Sequence, residues 1–80
     1  MNYVYVLWSS KLNKRYVGTT NNVEKRINEH NRGYNKFTSG GIPWLLVLKE
    51  EYSTKTEALK RERFLKSGRG RAILDKTLNE

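Results

Sequence analysis

The segment Tyr3–Trp8 reads Tyr-Val-Tyr-Val-Leu-Trp, an uninterrupted run of aromatic, β-branched and apolar residues. This composition favours a β-strand. Successive side chains of a strand point to opposite faces, so both faces of this one are apolar. We therefore expect it at the centre of a sheet. The chain has 80 residues, enough for one domain with a modest core, since a chain this short buries only about 60–65% of its unfolded surface.

Turn and cap residues divide the segment that follows this strand. Ser9–Arg15 carries turn residues, and Tyr16–Thr20 is predicted to return as the second strand of a hairpin. The next element is predicted to be a helix that runs from an asparagine cap, Asn21 or Asn22, to about Arg32.

The second half of the chain is predicted to contain a loop, a third strand and two more helices. Gly33 ends the first helix and opens the loop. These elements are expected over Gly33–Pro43, over Trp44–Leu48 with an extension towards Tyr52, from a Ser53 or Thr54 cap to about Gly68, and over Arg69–Leu78. Glu57 stands three residues after Thr54, as in a capping box. The order β-β-α-β-α-α predicts an α+β fold, in which helices flank a small three-stranded, mainly antiparallel sheet. We expect residues 1–80 to form a single domain.

The charge of the chain points to a polyanionic partner. Lys and Arg number 16 against eight Asp and Glu, a formal net charge of +8. Six of the basic residues crowd into positions 60–71 beside a single acid, Glu62; they are Lys60, Arg61, Arg63, Lys66, Arg69 and Arg71. Such a stripe attracts phosphate backbones and gives salt-sensitive binding. The alternative is a solvated helix face that only aids solubility.

Several classes of protein are disfavoured by composition. The chain has no cysteine, so neither a disulfide framework nor a thiolate zinc site is expected. No apolar run approaches the roughly 20 residues of a membrane span, and the N-terminus lacks the pattern of a signal peptide. We expect a soluble cytoplasmic protein with no membrane partner, and no sequence feature identifies a protein partner.

The two strands of the hairpin share a polar aromatic pair. A loop with an even number of residues places Tyr5 and Tyr16 on the same face, together with Gly18. The missing side chain of Gly18 leaves room beside Tyr16 for another group to approach the backbone. Taken alone, the pair is more typical of cross-strand aromatics that stabilise a sheet.

The first helix carries polar side chains on its apolar stripe. Val23, Ile27 and His30 stand at i, i+4 and i+7, and Arg26 flanks them at i+3. If Val23 and Ile27 face the sheet, Arg26 and His30 point towards the protein, where a packed histidine and a snorkelling arginine are the ordinary explanation. Together, beside two tyrosines, they favour a phosphate pocket, because arginine matches phosphate oxygens and histidine exchanges protons near neutral pH.

Glu62 on the second helix is the candidate metal ligand. It falls within the arc of Ala58, Leu59 and Leu65, which we predict to be buried. An inward carboxylate with no second acid nearby suits a single hard cation such as Mg²⁺, held otherwise by water and substrate phosphate. The alternative is a simple i,i+4 ion pair with Lys66, worth about 0.2–0.5 kcal/mol.

These residues resemble the signature of the GIY-YIG nuclease superfamily. Tyr3-Val4-Tyr5, followed after ten residues by Tyr16-Val17-Gly18, is similar to its paired tripeptides. Arg26 and His30 follow at the usual distance, and Glu62 lies in an Ala-Leu-Lys-Arg-Glu stretch like the family's metal-binding helix. The match covers nearly the whole chain. It resembles the small stand-alone members, which are similar to the catalytic module of homing endonucleases and of the excision-repair incision subunit.

The resemblance implies a metal-dependent endonuclease that hydrolyses phosphodiester bonds, in DNA rather than RNA, with Mg²⁺ or Mn²⁺ as cofactor. It implies that Tyr16 acts as general base or orients the attacking water, and that Tyr5 assists it or holds the phosphate. By the same resemblance Arg26 stabilises phosphoryl charge, His30 contacts phosphate or relays a proton, and Glu62 binds the metal. An ordinary tyrosine, with a pKa of about 10, is a poor base at pH 7. Arg26 and metal-bound water would therefore have to favour its ionised form. The alternative is a non-catalytic nucleic-acid-binding module with a nuclease-like fold.

The chain departs from the family pattern at a few positions. Tyr3 replaces the first glycine of the signature, and Thr19 stands where some relatives place a lysine. A late asparagine that some relatives place near the metal has no counterpart here, because Asn79 lies far out at the terminus.

The predicted loop carries candidate substrate contacts. Tyr34, Lys36 and Phe37 alternate aromatic and basic groups, and nucleic-acid bases stack on such aromatics for about 1–3 kcal/mol each. Alternatively, Phe37 anchors the loop to the core. We expect no accompanying helix-turn-helix or zinc finger that would read a duplex sequence, which favours single-stranded, branched or otherwise structured substrates. The candidate nucleic-acid contacts are Lys25, Lys36, Phe37, Arg61, Arg63, Lys66, Arg69 and Arg71.

Overall fold

A computed structural model describes residues 1–78, so that Asn79 lies outside the described part of the chain. The elements are β1 (Asn2–Ser9), β2 (Lys14–Thr20), α1 (Val23–Asn31), a short 3-10 turn (Ser39–Gly41), β3 (Leu45–Tyr52), α2 (Lys55–Lys66) and α3 (Gly68–Leu78). The predicted order β-β-α-β-α-α and the α+β class are confirmed. The hairpin strands run one or two residues further into the turn than predicted.

The sheet has the strand order β2-β1-β3, with both pairs antiparallel. The prediction that the apolar first strand lies at the centre is confirmed, and β2 and β3 are the edges. In the register of the hairpin, Tyr5 lies opposite Gly18 and Leu7 opposite Tyr16. Directly opposite residues share a face, so Tyr5, Tyr16 and Gly18 lie on the same side of the sheet, as predicted.

The two faces of the sheet are covered by different helices. On one face, Val4, Val6 and Val17 pack with buried residues of α2 and α3: Ala58, Leu65 and Leu74. On the other face, Tyr5 and Leu7 pack with Val23 of α1 and with Trp44, and Ile27 packs against this cluster. The inward orientation of Val23 and Ile27 is therefore confirmed.

One residue of the predicted buried arc on α2 is exposed. Ala58 and Leu65 retain 0% and 1% of their exposure, whereas Leu59 retains 44%. Ala58 and Leu65 stand seven residues apart and share a stripe of the helix, while Leu59 is rotated about 100° away from it. A three-stranded sheet offers α2 only a narrow contact line, and Leu59 falls beside that line. The prediction that Leu59 is buried was wrong.

The helix ends follow the predicted signals. Asn22 is the cap of α1, since its Oδ1 accepts a hydrogen bond from the backbone N–H of Lys25 at 3.1 Å. Gly33 follows the end of α1 with φ +80°, a left-handed conformation that glycine adopts without strain. Thr54 is the cap of α2: its Oγ1 accepts from the N–H of Glu57 at 3.2 Å and donates to the Glu57 carboxylate at 2.9 Å.

The cap of α2 gives a test of the fold. Replacing Thr54→Ala removes the acceptor for the Glu57 N–H and should lower the free energy of unfolding by about 1 kcal/mol. Ser53→Ala is the matched control, because Ser53 bonds only the exposed Glu57 side chain, at 3.3 Å. Urea denaturation measures both variants, and equal losses for the two would contradict the assignment of Thr54 as the cap.

Candidate active site

Tyr5 lies against the backbone of Gly18. A Cβ atom built on Gly18 would lie 2.5 Å from the Tyr5 hydroxyl oxygen and 2.6 Å from its Cζ. Contacts that short do not occur between a side chain and a buried ring, so any residue other than glycine would displace the phenol. The group that uses the space left by Gly18 is therefore Tyr5 itself, on the neighbouring strand.

A chain of hydrogen bonds joins β1, α1 and the loop after α1. Arg26 Nε donates to the Tyr5 hydroxyl oxygen at 3.3 Å. The same oxygen lies 3.1 Å from His30 Nε2, and His30 Nδ1 lies 2.7 Å from Thr38 Oγ1. Tyr5, His30 and Thr38 each retain no more than 1% exposure. These hydrogen bonds thus join three residues that the sequence predicted to share a site: Tyr5, Arg26 and His30.

Tyr16 joins this cluster through ring contacts. Its ring lies edge-on to the His30 imidazole with 4.8 Å between centroids, and 6.2 Å from the Tyr5 ring centroid. Tyr16 is partly exposed on the edge strand β2, whereas Tyr5 is buried on the central strand. The two phenols therefore occupy different environments: Tyr5 is enclosed, and Tyr16 can meet solvent or a ligand.

The environment keeps Tyr5 and His30 neutral. Burial raises the pKa of Tyr5 to about 12, and the hydrogen bond from Arg26 only partly opposes this. Burial, followed by the nearby positive charge of Arg26, lowers the pKa of His30. Arg26 does reach Tyr5, but desolvation outweighs its effect.

Glu29 forms an ion pair with Arg26. Its carboxylate Oε1 accepts from Arg26 Nη1 at 3.3 Å, and both side chains are about one-third exposed. Glu29 and Arg26 are three residues apart, a spacing that brings side chains together on a helix. Glu29 therefore holds the guanidinium beside the Tyr5 hydroxyl.

Glu62 approaches β2 from the other face of the sheet. Its carboxylate accepts hydrogen bonds from Thr19 Oγ1 and from Lys66 Nζ, the latter at 2.7 Å. Burial opposes ionisation of Glu62, but these two hydrogen bonds outweigh it and lower its pKa. Glu62 has no hydrogen bond with the Tyr5 cluster within residues 1–78, yet its charge is near enough to contribute to the raised pKa of Tyr5.

The residues around Glu62 fit a metal ion held by one carboxylate. Within residues 1–78 no group of three or more His, Cys, Asp or Glu side chains could enclose a metal. An ionised, partly exposed carboxylate suits Mg²⁺, which keeps most of its water and takes substrate phosphate as a further ligand. Lys66 occupies one oxygen of Glu62, but its side chain is 53% exposed and is free to move aside.

The basic residues predicted to bind nucleic acid are distributed over several surfaces. Lys25 lies on the outer surface of α1, Arg63 and Arg69 are exposed, and Arg71 lines a groove of about 490 Å³ with Tyr16 and Lys66. Arg61 instead forms a two-pronged ion pair with Glu50, at 3.0 and 3.2 Å.

The loop after α1 exposes its aromatic and basic side chains. Phe37 retains 92% of its exposure and Tyr34 69%, and Lys36 between them is exposed. The alternative that Phe37 anchors the loop to the core is therefore wrong. Thr38 performs the anchoring instead, through its buried hydroxyl.

Sequence reasoning missed Thr38, Lys14 and Arg15. Lys14 and Arg15 line the groove beside Tyr16. They were assigned to a turn, and their basic character was the only available signal. Nothing in the local sequence marks Thr38, because its contact with His30 depends on the path of the loop.

Comparison with known proteins decides the family. Residues 1–77 match the GIY-YIG catalytic domain. The chain belongs to the GIY-YIG family. A UPF0213 protein of Clostridium perfringens is 48% identical over 67 residues, covering 82% of this chain and 71% of the relative. One of Staphylococcus haemolyticus is 44% identical over 66 residues, covering 81% of this chain and 79% of the relative.

A solved structure agrees with this assignment. The solution NMR structure of a UPF0213 protein from Bacillus halodurans is similar, with a TM-score of 0.58 and 34% identity, covering 96% of this chain and 85% of that one. The predicted resemblance to the GIY-YIG superfamily is confirmed, so the chain carries a nuclease-type catalytic domain, for which a nucleic-acid substrate is implied. None of the helices in residues 1–78 has the length and apolar character needed to cross a bilayer.

The buried His30 of this GIY-YIG domain predicts a specific pH dependence of stability. Because the folded pKa of His30 is lowered, its contribution is complete above the unfolded value of about 6.5. As the pH falls below that value, the unfolded chain takes up the proton first and stability is lost until the folded pKa is passed. His30→Gln should flatten the free energy of unfolding between about pH 7 and pH 5. Urea denaturation across this range tests it, and parallel curves for the two proteins would contradict it.

Proposed function

We propose that this protein is a metal-dependent endonuclease that hydrolyses phosphodiester bonds in DNA, in repair, recombination or processing. The observation that carries the proposal is the contact between Arg26, Tyr5 and His30 beside the partly exposed Tyr16. A fixed cation, two phenols and a neutral imidazole within one cluster are the groups that phosphoryl chemistry requires. Membership of the GIY-YIG family supports the same conclusion.

Arg26 is proposed to bind the reacting phosphoryl group. Its Nε and Nη1 are held by Tyr5 and Glu29, which fixes the orientation of the guanidinium. Within residues 1–78 its Nη2 makes no hydrogen bond, and the side chain is 32% exposed. A pre-oriented donor aimed at solvent stabilises charge that develops on a phosphoryl oxygen without further reorganisation.

The two tyrosines are proposed to have different roles. Tyr5 is neutral, and its hydroxyl is hydrogen-bonded to both Arg26 and His30. It therefore positions these two side chains and takes part in proton movement within the cluster. Tyr16 faces the groove at the edge of the sheet, where an attacking water and a phosphodiester have access. We therefore assign to Tyr16 the role of orienting or deprotonating that water, and to His30 the role of accepting a proton.

Glu62 is proposed to hold Mg²⁺ or Mn²⁺. The ion supplies a positive charge that stabilises the leaving oxygen during hydrolysis. Thr19 donates to one carboxylate oxygen and keeps Glu62 turned towards β2. Lys66 releases the other oxygen, and its displaced ammonium group remains available to a substrate phosphate.

The substrate is proposed to lie along the free edge of β2. The groove beside Tyr16 is lined by basic side chains from β2, α2 and α3, namely Lys14, Arg15, Lys66 and Arg71. Of these, Arg15 also forms an ion pair with Asp75 of α3. These suit a phosphate backbone of either DNA or RNA. The exposed Phe37 and Tyr34, with Lys36 between them, suit unpaired bases, which favours single-stranded or structured substrates.

One observation favours the alternative of a non-catalytic nucleic-acid-binding module. Both oxygens of Glu62 already accept hydrogen bonds, from Thr19 and Lys66. A module of this kind would bind oligonucleotides with steep salt dependence and would cleave none of them in Mg²⁺ or Mn²⁺.

Cleavage of an oligonucleotide panel distinguishes the two functions. Single-stranded, duplex and flapped DNA and RNA are incubated with Mg²⁺, with Mn²⁺ and with EDTA. The wild type should cut only with metal. Glu62→Gln and Arg26→Ala should each reduce the rate by at least about 100-fold while retaining much of the binding. Glu51→Gln, on the exposed surface of β3, is the matched control. Wild-type rates in both site variants would contradict the proposed mechanism.

The loop makes a separate prediction about binding. Phe37→Ala should weaken the binding of single-stranded oligonucleotides by about 1–3 kcal/mol, because one stacking surface is lost. The fold should be unaffected, since the ring is 92% exposed. Fluorescence anisotropy measures the affinity, with Leu45→Ala as a control for an exposed apolar residue outside the loop. A strong preference of the wild type for duplex would contradict the proposed substrate class.

A further inference from the structure

Thr38 is a buried side chain in an exposed loop. Lys36, Phe37 and Ser39 around it are exposed, whereas Thr38 retains 1% of its exposure. Its hydroxyl oxygen lies 2.7 Å from His30 Nδ1 and 3.3 Å from the backbone oxygen of Asn35. Its own carbonyl accepts from Trp44 Nε1 at 2.7 Å. Separate hydrogen bonds therefore hold the backbone and the side chain of Thr38, and the side-chain hydroxyl is the group that contacts His30.

The directions of the hydrogen bonds in this chain are fixed from both ends, by the donor Arg26 and by the acceptor oxygen of Asn35 that Thr38 contacts. A guanidinium has donors and no acceptor, so the Tyr5 oxygen must accept from Arg26. The Tyr5 O–H then needs an acceptor, and His30 Nε2 at 3.1 Å is the one that residues 1–78 supply. Nε2 therefore carries a lone pair, and the proton of the neutral imidazole lies on Nδ1.

Thr38 completes the chain in the same direction. His30 Nδ1–H donates to Thr38 Oγ1, and the Thr38 hydroxyl donates to the carbonyl oxygen of Asn35. The opposite tautomer would direct Nε2–H at the Tyr5 oxygen and leave the buried Tyr5 O–H without an acceptor. Buried hydroxyls without partners are unfavourable and rare.

We propose that Thr38 is a positioning residue that holds His30 in the Nδ1–H tautomer, so that Nε2 accepts the hydrogen bond of the Tyr5 hydroxyl. The catalytic consequence rests on the proposed nuclease function. In that function the lone pair on Nε2 is the position at which His30 takes up a proton, while its Nδ1–H remains bound to Thr38. The charged and titratable groups that face His30 are Tyr5 from β1, Tyr16 from β2, and Arg26 and Glu29 from α1.

The tautomer is directly measurable, because His30 is the one histidine in the sequence. Long-range ¹H–¹⁵N correlation spectra of the uniformly labelled protein, recorded near pH 8, report which ring nitrogen carries the proton. The wild type and Thr38→Ser should both show Nδ1–H. Thr38→Val keeps the shape and removes the acceptor of Nδ1–H, so that either tautomer leaves one buried donor unpaired. This variant should show Nε2–H or a mixture. A wild type with Nε2–H, or an unchanged tautomer in Thr38→Val, would overturn the inference.

Kinetics test the consequence for the reaction. Thr38→Val should lower kcat by at least about 10-fold, leave KM within about threefold of wild type, and change the acidic limb of the pH profile. Thr38→Ser should restore all three. If wild type cuts but Thr38→Val matches it at every pH, the positioning role is wrong. If wild type cuts nothing, the proposed function fails while the spectra still decide the tautomer. If Thr38→Val does not fold, the wild-type spectrum alone still decides which ring nitrogen of His30 carries the proton.

Discussion

The buried hydroxyl of Tyr5 is the contact on which the rest of the site depends. A phenol removed from water at the centre of the sheet needs partners for its oxygen and its proton. From α1, Arg26 donates to the oxygen and His30 accepts from the O–H. The position of α1 on the sheet is therefore set by these hydrogen bonds as well as by the packing of Val23. Gly18 on the next strand provides the space for the ring. One residue thereby ties two strands and a helix together.

In the proposed function, the narrowness of the sheet lets groups from both of its faces reach one substrate. Tyr16 and Arg26 lie on the face covered by α1, whereas Glu62 comes from α2 on the opposite face and meets β2 at Thr19. In a wider sheet, further strands would lie beside β2, and groups on the two faces would not meet around its edge. Here β2 is an edge, and a phosphodiester lying along it has the tyrosine on one side and the carboxylate on the other. The strand order that buries Tyr5 also leaves Tyr16 accessible.

The parts predicted from sequence are those set by local periodicity. The central strand, the shared face of the two tyrosines and the inward stripe of α1 each follow from spacing along one element. The wrong prediction of a buried Leu59 depended on what lies opposite an element, because Leu59 falls beside the narrow contact line of α2. The ion pair of Arg61, a predicted nucleic-acid contact, with Glu50 of β3 is likewise a contact between elements that spacing along the chain does not show. The contact of Thr38 with His30 depends on the path of a loop, which no periodic pattern encodes.

The ion pair of Glu62 with Lys66 gives the proposed reaction an order of events. In the substrate-free protein, Lys66 neutralises a carboxylate that would otherwise be partly buried and uncompensated. A single carboxylate binds Mg²⁺ weakly unless phosphate oxygens complete the coordination, so metal and substrate are expected to bind together. If Glu62 held the proposed ion, Lys66 would be released beside Arg71 in the groove that we assign to the phosphate backbone. In the proposed reaction the same ammonium group would contribute to stability before binding and to affinity after it, and a lone acid would suffice because the substrate would supply the remaining ligands.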